Sequence, residues 1–141
     1  MNGEITKHKS FTIVSGLILK NNKLLCIIQD KDIYKDHIWV PSGHLEPNET
    51  PEEAVVREVK EETGLDVKVK KLIMRVEFNP MRGYFYFCDI IGGKLSTKGE
   101  IKKILWLSFD EILKSKKVHP LLTAVASFSI NHPEFYNGLN R

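Results

Sequence analysis

The stretch that decides the fold covers residues 43–65 and reads GHLEPNETPEEAVVREVKEETGL. Its middle carries the signature of a helix start: Thr50 as the N-cap, Pro51 as the first helical residue and Glu53 three residues after the cap. Gly64 stands where a helix commonly ends in the left-handed conformation. The stretch therefore predicts a helix between these two signals, preceded by a turn-rich loop.

Three carboxylates crowd one turn of this predicted helix. Glu58, Glu61 and Glu62 are spaced i, i+3 and i+4, so their side chains share one face. Each like-charge pair costs roughly 0.2–0.5 kcal/mol in water. One interpretation is a solvated acidic face that neighbouring basic residues relieve. The other is a site for a hard divalent cation, which prefers oxygen ligands, beside a loop that presents backbone groups.

Nine constrained positions of this stretch resemble the Nudix box, G-x5-E-x7-R-E-U-x-E-E-x-G-U with U aliphatic, which identifies the chain as a member of the Nudix hydrolase family. The segment WLSFDE at 106–111 is also similar to the strand-to-helix passage near the end of that family's domain. The resemblance therefore extends over about residues 10–130. The nine positions are Gly43, Glu49, Arg57, Glu58, Val59, Glu61, Glu62, Gly64 and Leu65.

The resemblance implies an α/β architecture, the Nudix fold, in which a mixed β-sheet is sandwiched between α-helices. We expect a single domain over residues 1–141 with a core at about 10–130, and a polar tail that frays. Apolar and β-branched runs predict strands, and capping signals predict two further helices. The predicted strands are 10–19, 23–29, 38–41, 66–78, 84–91 and 101–107, and the predicted helices are 108–114 and 121–130.

Composition excludes several classes of protein. The chain has 141 residues, 42% of them hydrophobic and 28% charged, with a formal charge of +3. Its lysines are dispersed and do not alternate with aromatic residues, so we expect no duplex nucleic acid partner. No apolar run is long enough to cross a membrane, and no signal peptide is visible, which favours a cytoplasmic protein. Cys26 and Cys88 are typical of buried, reduced thiols.

The resemblance implies a metal-dependent pyrophosphohydrolase. Water would attack phosphorus in the pyrophosphate bond of a nucleoside diphosphate linked to another moiety. Glu58, Glu61 and Glu62 would bind Mg²⁺, with Mn²⁺ as an alternative, and Gly43 would add its backbone carbonyl. Arg57 would orient these carboxylates and balance their charge, although it could instead form an ordinary ion pair along the helix.

The general base and the substrate stay open. Glu58 is one candidate base, and Glu100 is the other because some family members use a Glu from the corresponding loop. Gly43, His44 and Tyr84 are candidate contacts to a small-molecule nucleotide substrate, and the missing Cβ of Gly43 would let a phosphate approach closely. Pro80 and Tyr84 stand close to the positions of two subfamily markers but match neither. A nucleoside triphosphate, ADP-ribose or another nucleotide sugar, and a dinucleoside polyphosphate all remain open.

Two other functions compete with catalysis. A non-catalytic Nudix-type module would bind a nucleotide and regulate, but such a module is expected to lose carboxylates of the box, and this chain keeps them. A protein-interaction domain with an acidic helix is the third interpretation. Since relatives commonly form homodimers, a homodimer is an open expectation for this chain.

Overall fold

The computed structural model of the protein describes residues 10–29, 36–97 and 101–140. These described residues form eight strands and three α-helices, and a short 3₁₀ helix follows the last α-helix. They are β1 (Phe11–Leu17), β2 (Leu19–Lys20), β3 (Lys23–Gln29), β4 (Ile38–Trp39), β5 (Ser42–His44), α1 (Pro51–Thr63), β6 (Leu65–Phe78), β7 (Met81–Gly93), β8 (Ile101–Leu107), α2 (Phe109–Lys114), α3 (Pro120–Ile130) and the 3₁₀ helix Pro133–Phe135.

The strands form two four-stranded sheets. One has the order β5-β1-β7-β6, and in it β1 and β7 run parallel while the other pairs are antiparallel. In the other, β3 pairs with β2, β4 and β8. The predicted strand 10–19 is therefore two strands in different sheets. They separate at Ile18, whose carbonyl accepts a hydrogen bond from Leu25 N–H and draws the chain toward β3.

Apolar side chains cover both faces of the central strands. In β7, Phe85 and Phe87 pack in a cluster with α2 and α3, whereas Tyr86 and Cys88 pack in a second cluster with α1. This alternation is the period of two expected of a strand that is buried on both sides. The predicted arrangement of a mixed β-sheet between helices is confirmed.

The signals that predict α1 are confirmed residue by residue. Thr50 Oγ1 accepts a hydrogen bond from Glu53 N–H, and the Glu53 carboxylate accepts one from Thr50 N–H, which completes the capping box. Gly64 ends the helix with a φ of 81°, a conformation that glycine adopts without steric cost.

Within the described ranges, no helix has the length and apolar character needed to cross a bilayer.

The C-terminal tail packs against the domain, although its polar composition is typical of a tail that frays. Tyr136 contacts the rings of Phe87 and Phe109 at centroid distances of 5.3 and 5.6 Å. Asn140 binds the part of β7 that extends past the end of β1. Its side-chain oxygen accepts from Ile90 N–H, and its side-chain NH₂ donates to the carbonyls of Cys88 and Leu19. The Asn140 amide thus replaces a missing strand partner, which explains the order of the tail.

We expect Asn140→Ala to lower the free energy of unfolding by about 2 kcal/mol, because it leaves buried backbone groups of two strands without partners. Urea denaturation monitored by circular dichroism measures this loss. Asn137→Ala, in the same tail, is the control and should change stability by no more than about 0.5 kcal/mol. Equal unfolding midpoints for Asn140→Ala and the wild type would contradict the structural role of this amide.

Candidate active site

The guanidinium of Arg57 fastens the loop before α1 to the helix. Its Nε and Nη2 donate to the two carboxylate oxygens of Glu49 at 2.7 and 3.0 Å, and Nη2 also donates to the carbonyl of His44 at 3.0 Å. Its Nη1 donates to Glu58 Oε2 at 2.6 Å, whereas Glu61 lies at 3.5 Å. The hydrogen bond from Arg57 lowers the pKa of Glu49. Arg57 therefore does two things at once: it positions Glu58 and it holds the loop before α1 in place.

Glu58 and Glu62 are carboxylates in a poorly solvated setting. Only 14% of the Glu58 side chain is exposed, and its burial raises the pKa even though Arg57 opposes the shift. Glu62 accepts a hydrogen bond from Ser42 N–H at 2.8 Å. Burial, together with the charges of Glu58 and Glu61, raises the pKa of Glu62 to about 8. Both charged forms are thus destabilised, and a bound cation would offset this cost.

Gly43 lies against the Glu58 carboxylate, and this contact explains the need for glycine. A Cβ at position 43 would lie 2.0 Å from Glu58 Cδ. Any side chain there would displace the carboxylate. Because Gly43 pairs with Val14 in the centre of the short β5–β1 ladder, its backbone is fixed beside Glu58.

One cavity of about 550 Å³ collects most of the predicted site residues. We call it the acidic cavity. Its lining residues are Ile13, Gln29, Trp39, Ser42, Gly43, His44, Glu46, Arg57, Glu58 and Glu62. Glu61 does not line it, and 57% of its side chain is exposed. Glu100 lies outside the described residues.

The acidic cavity fits a metal ion by the chemistry of its donors. Its carboxylate and carbonyl oxygens are the ligands that Mg²⁺ and similar hard cations prefer. No three acidic, His or Cys side chains of the described residues are already gathered as a metal-binding cluster. The hydrogen bonds explain this, because Glu58 is held by Arg57 and Glu62 by Ser42 N–H. Glu58 would have to exchange part of its contact with Arg57 for a contact with the ion.

Tyr84, a candidate substrate contact, does not lie at the acidic cavity. It lines neither the acidic cavity nor the cleft described next, and its ring stacks on Tyr86 with a centroid distance of 6.4 Å. Strand alternation is the reason. Tyr84 and Tyr86 face α1, whereas Gly83 and Phe85 face the opposite side of β7.

A second concavity of about 520 Å³ adjoins the acidic cavity and is mostly apolar. We call it the aromatic cleft. The Trp39 ring forms part of its wall, packed edge-on against Phe85 at 5.9 Å and close to the His119 ring at 4.9 Å. The two concavities share four lining residues: Ile13, Gln29, Trp39 and His44. A molecule can therefore occupy both at once.

The sequence interpretation missed the aromatic cleft. The alternation of Phe11, Ile13 and Ser15 along β1 predicts that these three side chains share a face. Nothing in the sequence predicts that β1 runs parallel to β7, which brings Gly83 and Phe85 to that face. The composition of the cleft depends on this long-range pairing.

Comparison with known proteins agrees with the fold and the box. The family model of the NUDIX domain matches residues 9–127. The ADP-ribose pyrophosphatase of Methanocaldococcus jannaschii is 38% identical over 108 residues, which are 72% of this chain and 63% of that protein. The MutT-like protein of Streptomyces ambofaciens is 37% identical over 103 residues, which are 70% of this chain and 64% of that protein. The chain thus spans less than two thirds of the length of these relatives.

Solved structures share the architecture at lower identity. The NUDIX hydrolase from Nitrosomonas europaea superposes with a TM-score of 0.77 at 23% identity, over 90% of this chain and 91% of that one. The MutT protein from Methanosarcina mazei superposes with a TM-score of 0.70 at 18% identity, over 93% and 98% of the two chains. These similarities show the fold, and the domain match covers most of the chain. The chain belongs to the NUDIX domain family.

Proposed function

We propose that the protein is a Mg²⁺-dependent pyrophosphohydrolase that cleaves the pyrophosphate bond of a nucleoside diphosphate linked to another moiety. The observation that carries this proposal is the pair of desolvated carboxylates, Glu58 and Glu62, in the acidic cavity beside Gly43. Members of the family generally use divalent metals, and relatives of this chain are named as pyrophosphatases and diphosphatases of nucleotides. Two free, buried thiols fit the reducing cytoplasm, where we place the activity.

Four groups of this chain would hold the ion: the carboxylates of Glu58 and Glu62 and the backbone carbonyl of Gly43 in the acidic cavity, and the exposed carboxylate of Glu61 from outside it. When bound, a divalent cation stabilises charge on the phosphoryl oxygens and lowers the pKa of an attacking water. Arg57 keeps α1 and its preceding loop in register through Glu49 and His44, so the carboxylates and the backbone of β5 stay close. Such positioning is most of what phosphoryl transfer requires from a protein.

Glu58 is the described carboxylate best placed to accept the proton of the attacking water, since it lines the acidic cavity beside Gly43. Glu100 stays the second candidate for this role. The nucleoside part of the substrate would lie in the aromatic cleft, where Trp39 offers a ring for a base to stack on. We retain His44, which lines both concavities, as a substrate contact and withdraw Tyr84 from that role.

The first test is hydrolysis of ADP-ribose, nucleoside triphosphates and dinucleoside polyphosphates with Mg²⁺ and with EDTA. We expect Mg²⁺-dependent turnover, and we expect Glu58→Gln and Glu62→Gln each to lower kcat/KM by about 100-fold or more, because each removes a charged ligand. Glu52→Gln, an exposed change on the same helix, is the matched control and should keep nearly full activity. Turnover that survives both EDTA and the two site variants would exclude the proposed mechanism.

A second test uses stability and needs no substrate. We expect Glu62→Gln to stabilise the metal-free protein by about 1 kcal/mol. The buried carboxyl of Glu62, whose pKa is raised to about 8, must bind a proton on folding at neutral pH, whereas the amide is neutral and still accepts from Ser42 N–H. Thermal unfolding at neutral pH measures the difference.

Addition of Mg²⁺ in the same unfolding experiment should reverse the order of stability. A ligand at 100 times its Kd stabilises a folded protein by about 2.7 kcal/mol, and we expect this gain in the wild type and its loss in Glu62→Gln. An equal response of both proteins to Mg²⁺ would remove Glu62 from the metal site.

A further inference from the structure

The acidic cavity and the aromatic cleft share one wall, and a substrate that fills both would place there the group between its base and its diphosphate. This inference rests on the proposed function, which places the phosphates in the acidic cavity and the base in the aromatic cleft. The group between them in such a substrate is the sugar. The sugar would therefore pass along Ile13, Gln29, Trp39 and His44, which line both spaces.

Within this wall, Gln29 supplies a neutral amide. Gln29 is the last residue of β3, and its backbone carbonyl accepts a hydrogen bond from Asp36 N–H at 3.3 Å. Its side-chain amide forms no hydrogen bond with the rest of the described chain, although the residue is partly buried. Ile13 beside it is apolar, and the indole N–H is the one polar group of the Trp39 side chain. The donor and the acceptor of the Gln29 amide are therefore both available to a ligand that lies along this wall.

We propose that the Gln29 side chain binds the hydroxyl groups of the substrate's sugar and thereby selects ribonucleoside over 2′-deoxyribonucleoside diphosphate derivatives. An amide presents a donor and an acceptor side by side, and two neighbouring hydroxyls can satisfy both. A 2′-deoxy sugar has one hydroxyl fewer and leaves one amide group of Gln29 unsatisfied. Gln29 is the residue of this wall with a donor and an acceptor side by side, since Ile13 is apolar and Trp39 and His44 offer only ring nitrogens.

The test measures kcat/KM for matched pairs of ribonucleoside and 2′-deoxyribonucleoside triphosphates that carry each of the common bases. For the base used best, we expect the wild type to prefer the ribonucleotide about tenfold, as the loss of one hydrogen bond in a partly buried site predicts. Gln29→Met keeps the length of the side chain and removes its polar atoms. It should bring the ratio close to one, through a higher KM for the ribonucleotide with little change in kcat.

Lys23→Met at the other end of β3 is the matched control, and it should keep the preference of the wild type. Gln29→Leu repeats the measurement should Gln29→Met fail to fold, as judged by its thermal unfolding. A wild type that uses both sugars equally overturns the inference. So does a preference that survives both changes at Gln29.

Failure of the proposed function is distinguishable from failure of this inference. If no nucleotide is hydrolysed, the proposed function fails, and calorimetry with α,β-methylene ADP and its 2′-deoxy form still decides the role of Gln29. Tighter binding of the ribose form by the wild type but not by Gln29→Met supports the inference. Equal binding of the two forms by the wild type overturns it.

Discussion

The site depends on the contacts of one guanidinium. Arg57 bonds both oxygens of Glu49 and the carbonyl of His44, and it also holds Glu58. A planar group with five donors in fixed directions can make these contacts together, which a lysine ammonium cannot do. The loop and the helix are therefore one rigid unit, and Glu58 is held beside Gly43 until an ion takes over part of its contact with Arg57.

Holding carboxylates in this unit has an electrostatic cost, and the cost is concentrated at the buried Glu62 in the candidate active site. Glu62 sits between a backbone N–H and the charges of its neighbours, largely withdrawn from water. Burial of this kind raises the free energy of the anion, so the metal-free site is strained in charge but not in backbone geometry. Capping boxes at Thr50 and Ser108 and the packed core supply stability elsewhere in the domain.

Features encoded within a few residues could be predicted from the sequence, and features made by distant pairing could not. The caps of α1 are local, since each lies within a few residues of the helix end that it forms. The division of residues 10–19 between two sheets depends on partners far along the chain. The same holds for Tyr84, whose face of β7 follows from strand register, and for Asn140, whose amide binds β7 some fifty residues earlier.

The two concavities are lined by different parts of the chain, and this affects how the sequence of such a protein can change during evolution. Most of the acidic one comes from a single contiguous segment, residues 42–62, whereas the aromatic one takes only His44 from that segment and is otherwise assembled from β1, β3, β4, β6 and β7, the residue before β4 and the start of α3. Replacements in those scattered strands can reshape the space for a base without touching the helix that carries the charges. Under the proposed function, reaction type and choice of substrate are therefore encoded in largely separate parts of the gene, and each can change independently of the other.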